Sequence, residues 1–149
     1  MKRTSLTALA LLTLTAPAAL AESIITIAHS KAFETAPSAM AGGGFMEITN
    51  TGTTDDMLIA VAADFPRVEL HTTEFTDGVA KMMHVDGIPI PAGETITLEP
   101  GGFHVMFMGL RGDPLEVGES IEATLTFKVA GEVPIAFNVV KRDMAAHKN

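Results

Sequence analysis

The fold class is decided by the stretch SIEATLTFKV (residues 120–129), in which apolar and polar side chains alternate without a break. Its apolar side chains fall on one face of an extended chain: Ile121, Ala123, Leu125, Phe127 and Val129. A period of two is that of a β-strand buried on one face. Gly131 and Glu132 interrupt the pattern and residues 133–140 resume it. The two runs therefore predict a hairpin at the end of the domain.

The segments before this hairpin have the same character, with short apolar runs divided by turn residues. Such runs occupy residues 24–27, 44–49, 57–62 and 67–72. Asp77-Gly78 and Asp86-Gly87 predict two-residue turns, because both pairs tolerate positive φ. The 13 Gly and 8 Pro interrupt every helical pattern. We therefore expect residues 22–142 to form one all-β domain, an antiparallel sandwich or barrel.

The two ends of the chain read differently. Lys2 and Arg3, an apolar run at 6–16 and the small residues Ala19 and Ala21 predict a cleaved signal peptide over residues 1–21, and hence a periplasmic protein. No apolar run is long enough to cross a membrane, so no membrane-spanning segment is expected. Without Cys a lipoprotein anchor is also not expected. Residues 143–149 are expected to be a flexible tail.

The composition excludes several classes of function. With no Cys, the chain cannot form disulfides, zinc–thiolate or iron–sulfur sites, a cysteine nucleophile or a blue-copper centre. A formal net charge of -8 argues against nucleic acid or a polybasic membrane surface as partners. No paired carboxylates or nucleophile–base arrangement suggests an enzyme, so no catalytic residues are expected. The unusual feature is 9 Met in a chain without Cys, Trp or Tyr.

In the stretch FHVMFM (residues 103–108), one histidine and two methionines occupy every second position. If this stretch is a strand, Phe103, Val105 and Phe107 face the core. The opposite face then carries the possible metal donors: His104, Met106 and Met108. The alternative is a strand buried on both faces, where Met fills gaps in the packing.

Two further segments offer the same donors. In KMMH (residues 81–84), Met82 and His84 share a face and Met83 takes the other. His71 lies on the polar side of the strand VELHT (residues 68–72). Thioether and imidazole together are a soft, uncharged donor set, which favours Cu(I) over calcium, magnesium or zinc.

The spacing of these donors resembles that of the periplasmic copper chaperones associated with assembly of the binuclear copper centre of cytochrome c oxidase. His71 is followed after 10 residues by Met82, after 21 more by His104, and after 1 more by Met106. The surrounding segments are similar too: VELH (68–71), DGV (77–79), IPAG (90–93), LEPGG (98–102) and HVM (104–106). The resemblance covers nearly all of residues 22–142.

The resemblance implies a cupredoxin-like, Greek-key β-sandwich that binds Cu(I) in an exposed site and passes it on by ligand exchange. The implied copper ligands are His71, Met82, His104 and Met106. Expected partners are a copper-accepting subunit of cytochrome c oxidase or another periplasmic copper chaperone, with this chain a monomer.

The chain departs from this family in two places. Met83 stands where the family often carries Arg, so Met83, His84 and Met108 are candidate auxiliary donors. Some members of the family carry an extended C-terminal tail rich in His and Met that binds Cu(II). Here the tail has only Met144 and His147 as such donors, so at most weak Cu(II) binding is expected there. Two other functions stay open at this point: copper sequestration for resistance, and a metal-free β-sandwich that binds another protein.

Overall fold

The computed structural model describes residues 22–142, so the predicted signal peptide and C-terminal tail lie outside the described residues. Ten strands make up the fold: β1 (Ile25–Phe33), β2 (Ala41–Asn50), β3 (Asp56–Ala63), β4 (Arg67–Thr76), β5 (Val79–His84), β6 (Ile88–Ile90), β7 (Thr95–Leu98), β8 (His104–Met108), β9 (Ser120–Phe127) and β10 (Gly131–Val140). Within residues 22–142, no helix is long and apolar enough to cross a membrane.

The strands are hydrogen-bonded in the order β5-β4-β8-β2-β1-β10-β9-β3-β6, and β7 also pairs with β2. The all-β prediction is confirmed. Pairing is antiparallel except between β1 and β10, which run parallel from Lys31 opposite Asn138 to Phe33 opposite Val140. The path curls into a sandwich. This is seen from Phe107 of β8, which packs edge-on against Phe137 of β10 with ring centroids 5.4 Å apart. Three strand pairings separate those two strands along the path.

A single apolar core fills the sandwich. Its largest fully buried side chains come from seven of the strands and include Phe107, Phe137, Met46, Leu58, Ile88, Leu98 and Leu125. The alternation predicted for β9 is confirmed, since Ile121, Ala123, Leu125 and Phe127 are all buried. At about 25 cal/mol for each Å² of apolar surface removed from water, this core is the main term that stabilises a chain with no disulfide.

The hairpin between β9 and β10 differs from its prediction. Gly131 was expected to break the strand, but it begins β10 opposite Phe127, at a φ of 79°. The loop is residues 128–130, and Val129 is exposed there although the alternation placed it in the core. The physical reason is Asp56, whose carboxylate accepts the backbone N–H groups of Val129 (2.8 Å) and Ala130 (2.9 Å).

The two predicted Asp-Gly turns have different outcomes. Asp77 and Gly78 have φ of 51° and 78° and join β4 to β5, with Thr76 opposite Val79, as a two-residue hairpin requires. Asp86-Gly87 is not a hairpin turn, because it leads from β5 on one part of the path to β6 at the far end. The β4–β5 hairpin therefore ends the path, and β5 is an exposed edge strand that pairs with β4 alone within residues 22–142.

Asp56 is a buried carboxylate that joins three parts of the chain. Its oxygens also accept the Ser23 hydroxyl (2.6 Å) and the Met57 backbone N–H (2.7 Å). Burial alone would raise the pKa of Asp56, but the hydrogen bonds from Ser23 and from the three backbone N–H groups lower it below its ordinary value of 3.8. The ionised carboxylate is therefore the form that the fold binds.

We predict that Asp56→Asn lowers the free energy of unfolding by roughly 2–3 kcal/mol at pH 7, because the amide nitrogen would face donors. Since the pKa of Asp56 is lowered by folding, its contribution is present above 3.8 and is lost as the pH falls through the folded value. Denaturant unfolding at pH 7 and at pH 3 should show the difference between the two proteins shrinking in acid.

Asp55→Asn is the matched control, because Asp55 is exposed and accepts a single bond, from the Ala92 backbone N–H, that an amide oxygen can also accept. It should leave stability nearly unchanged. An Asp56→Asn protein as stable as the Asp55→Asn protein at pH 7 would contradict the assignment.

Candidate metal centre

Three histidines form a row across the strands β5, β4 and β8. His71 on β4 lies directly opposite His84 on β5 and directly opposite His104 on β8. Directly opposed residues of neighbouring strands place their side chains on the same face of a sheet. The ring centroids of His71 lie 6.0 Å from His84 and 5.9 Å from His104. The strand register thus brings together histidines that are up to 33 positions apart in sequence.

Two methionines lie on this same face. Met82 is opposite Thr73, which is two residues from His71 on β4. Met106 is opposite Glu69 of β4 and Gly43 of β2. Because side chains alternate along a strand, Glu69, His71 and Thr73 share one face of β4. The sheet therefore places both methionines on the face that carries the histidine row.

Met82, His104, Met106 and Thr73 line one surface cavity of about 230 Å³. The strand β2 contributes Gly42 and Gly43, where the cavity wall is backbone, together with the side chains of Ala41 and Phe45. Met82, on the edge hairpin, is 60% exposed. The cavity is thus bordered by sulfur, imidazole and hydroxyl groups, and the more exposed of its two methionines is Met82.

The imidazole of His71 is held by a carboxylate. Its Nε2 donates to Glu69 Oε2 at 2.8 Å, and Arg67 Nε lies 2.7 Å from the other carboxylate oxygen. The bond from His71 lowers the pKa of Glu69, and the Arg67 cation lowers it further. Only 12% of the His71 side chain is exposed, and its Nδ1 is buried without a hydrogen-bond partner.

The imidazole of His104 has the same arrangement with the nitrogens reversed. Its Nδ1 donates to the Gly102 carbonyl at 3.0 Å, while Nε2 is buried and has no partner. The residue is 3% exposed, and this burial lowers the pKa of His104. The ring is therefore held neutral, and Nε2 carries the lone pair.

These two nitrogens and Thr73 Oγ1 are the buried side-chain N or O atoms that lack a partner among residues 22–142. A buried polar atom left unpaired costs about 1–3 kcal/mol, so such atoms need an explanation. Each histidine is fixed by one nitrogen to an acceptor and offers the other as a lone pair. That is how metal-binding histidines are oriented in proteins.

The structure also locates the other predicted donors. Met108 lies two residues beyond Met106 on the same face, opposite Arg67 and Ala41. Met83 is opposite Thr72 and therefore lies on the other face of β5 from Met82. His84 is 54% exposed and joins Glu69 and His71 in a group whose donor atoms lie within 4.8 Å of one another.

The strand β8 combines both interpretations of FHVMFM. Val105 and Phe107 are fully buried as predicted, and Phe103 is partly buried. His104, expected on an open face, is buried as well, because Phe45 of β2 packs near it with ring centroids 6.4 Å apart. Sequence reasoning missed Glu69 and Thr73. Their spacing of two residues from His71 was the signal that could have placed them on its face.

Sequence comparison relates residues 25–139 to the family "Putative lipoprotein LpqE-like". A relative from Leifsonia xyli subsp. xyli, "Putative lipoprotein Lxx21020", is 36% identical over 112 residues, which are 74% of this chain and 67% of the relative.

Solved structures with the same fold include copper-binding domains. The apo PCuAC domain from PmoF1 matches with 28% identity and a TM-score of 0.66, over 79% of this chain and 94% of that domain. The copper-bound PCuAC domain from PmoF2 matches with 29% identity and a TM-score of 0.65, over 79% and 93%. CuI-DR1885 from Deinococcus radiodurans matches with 30% identity and a TM-score of 0.61, over 86% and 83%. The predicted resemblance is confirmed as far as a domain similar to copper-bound PCuAC domains.

The hydrogen bonds at the site predict opposite tautomers for the two histidines in the metal-free protein. His71 should carry its proton on Nε2, and His104 should carry its proton on Nδ1. Long-range 1H–15N correlation spectra at pH 7 distinguish the two forms by their nitrogen shifts. Finding the same tautomer at both rings would contradict this description of the site.

Proposed function

The chain belongs to the LpqE-like family, and from that premise we propose that it is a copper chaperone of the cell envelope. It binds one Cu(I) ion as cargo and releases it to an acceptor protein by ligand exchange, without catalytic turnover. The four proposed ligands are His71, Met82, His104 and Met106.

The observation that carries this proposal is the pair of unpartnered imidazole nitrogens, His71 Nδ1 and His104 Nε2. Both belong to the face that holds Met82 and Met106. Among the residues that line the cavity beside these methionines, Glu34, just after β1, is the one carboxylate. Two neutral imidazoles and two thioethers are a soft, uncharged donor set, which suits a monovalent soft ion. Binding would also satisfy polar atoms that the fold leaves unpaired.

The solved relatives support copper as the cargo. The PmoF2 domain is copper-bound and the DR1885 structure holds Cu(I), at 29% and 30% identity to this chain. The oxidation state proposed here rests on the donor chemistry: thioether sulfur favours Cu(I), and this chain has no thiolate to offer in its place.

The exposure of the ligands suggests an order of release. Met82 is 60% exposed on the edge hairpin, whereas His104 is buried at 3%. A donor from an acceptor protein can therefore replace Met82 first and the histidines last. By its resemblance to the periplasmic chaperones, the proposed acceptor is a copper-accepting subunit of cytochrome c oxidase or another periplasmic copper chaperone. Export by the signal peptide at residues 1–21 and a monomeric carrier belong to the same proposal.

We expect Met106→Leu and His104→Gln each to weaken Cu(I) binding by more than about 100-fold, since loss of even an outer partner of a metal site costs about 10–100-fold. The measurement is anaerobic competition with a chromophoric Cu(I) chelator. Wild-type protein should bind one equivalent.

Met83→Leu is the matched control, because Met83 neighbours Met82 but lies on the opposite face of β5. Its Cu(I) affinity should stay within a few-fold of wild type. Unchanged affinity in Met106→Leu, or an equal loss in Met83→Leu, would refute the proposed ligand set. Transfer to a purified acceptor then separates a chaperone from a protein that only sequesters copper.

A further inference from the structure

We propose that the face carrying the copper site holds a second metal position, formed by Glu69, His71 and His84, which selects a divalent ion of the zinc or Cu(II) type. This inference rests on the proposed function in one respect: the two positions share His71. It assigns His84 to the divalent ion and not to Cu(I).

The geometry of the three donors is compact. Glu69 Oε2 lies 2.8 Å from His71 Nε2 and 3.9 Å from His84 Nδ1. All three residues can present donor atoms within 4.8 Å of one another. Ligands of a tetrahedral ion bound at about 2.0–2.1 Å are separated by distances in this range. Small side-chain rotations would therefore suffice to close the set around an ion.

The groups around the three donors orient them. Arg67 Nε binds Glu69 Oε1 at 2.7 Å, which leaves Oε2 as the oxygen that faces the histidines. His84 faces Glu69 with Nδ1, at 3.9 Å from Oε2, and its other nitrogen, Nε2, lies 3.4 Å from Asp86 Oδ1. His84 is 54% exposed, and solvent can complete the coordination shell.

The donor types differ from those of the thioether set. One carboxylate and two imidazoles favour zinc or Cu(II), whereas two thioethers with imidazole favour Cu(I). The carboxylate also supplies a negative charge, which a divalent ion needs more than a monovalent one does. The Arg67 cation opposes the incoming charge, so we expect weaker binding here than at a dedicated zinc site.

The shared residue makes the two positions exclusive. Neutral imidazole has one lone pair, because its other nitrogen carries the proton. With the proton on Nε2, His71 offers Nδ1 to Cu(I) and donates to Glu69. A divalent ion at Nε2 requires the proton to move to Nδ1, and Cu(I) then loses this ligand. Occupation of one position therefore displaces the ion from the other.

The test uses Zn(II), which has no redox chemistry, in competition with a chromophoric zinc chelator. We expect His84→Ala to weaken Zn(II) binding by more than about 100-fold, above the 10–100-fold typical of an outer partner, and to leave Cu(I) affinity unchanged. Met106→Leu should do the reverse. His29→Ala is the matched control, because His29 is also exposed and faces a carboxylate, Glu47, at 3.1 Å.

One equivalent of Cu(I) added to the Zn(II)-loaded protein should release the Zn(II). With Cu(II) as the probe, electron paramagnetic resonance should show nitrogen coupling that His84→Ala reduces. Zn(II) binding that His84→Ala leaves unchanged, a parallel loss of Cu(I) in that variant, or simultaneous binding of both ions would overturn the inference. Failure of the copper proposal would instead appear as unchanged Cu(I) affinity in Met106→Leu, whatever the Zn(II) results.

Discussion

The antiparallel pairing of β4 with β8 is the constraint on which the site depends, because it places His71 directly opposite His104. The same pairing sets Leu70 opposite Val105 and Val68 opposite Phe107 on the other face, where Leu70, Val105 and Phe107 are buried. A slip of one residue would turn these side chains out of the core, at about 1.5–3 kcal/mol for each. The core thus fixes the register, and the register fixes which donors meet.

The donors on the opposite face are prepared by their own hydrogen bonds. Gly102 and Glu69 each hold one nitrogen of a histidine, and the fold leaves the second nitrogen buried and unpaired. The proposed Cu(I) ion would therefore bind with little reorganisation of the two histidines. Met82, on the edge hairpin, is the exposed member of the proposed set, so binding strength and access would depend on different strands.

The carboxylate of Glu69 gives the site a second character. It lies between Arg67 and two histidines, and in the two proposals it orients His71 for Cu(I) and is itself a donor to the divalent ion. A cell-envelope chaperone built this way would respond to the kind of metal present, because Cu(I) and a divalent ion would bind different nitrogens of the His71 ring. That property would arise from a single residue, Glu69, two positions before the proposed ligand His71.

Much of this could be predicted from the sequence, where the cause is local. Strict alternation in residues 120–129 predicts β9, Asp77-Gly78 predicts its hairpin, and the phases of FHVMFM and KMMH place Met82 and Met106 with histidines. The failures have distant causes. Asp56 reshapes the loop at 128–130 from 73 residues away, and Phe45 buries His104 from another strand. Asp86-Gly87 is a turn-like pair whose flanking strands belong to different ends of the path.

The most direct test of the central claim is X-ray absorption at the copper edge of the protein loaded with one equivalent of Cu(I). We expect a first shell that contains both thioether sulfur and imidazole nitrogen. A shell of nitrogen and oxygen alone, with no sulfur scatterer, would contradict it.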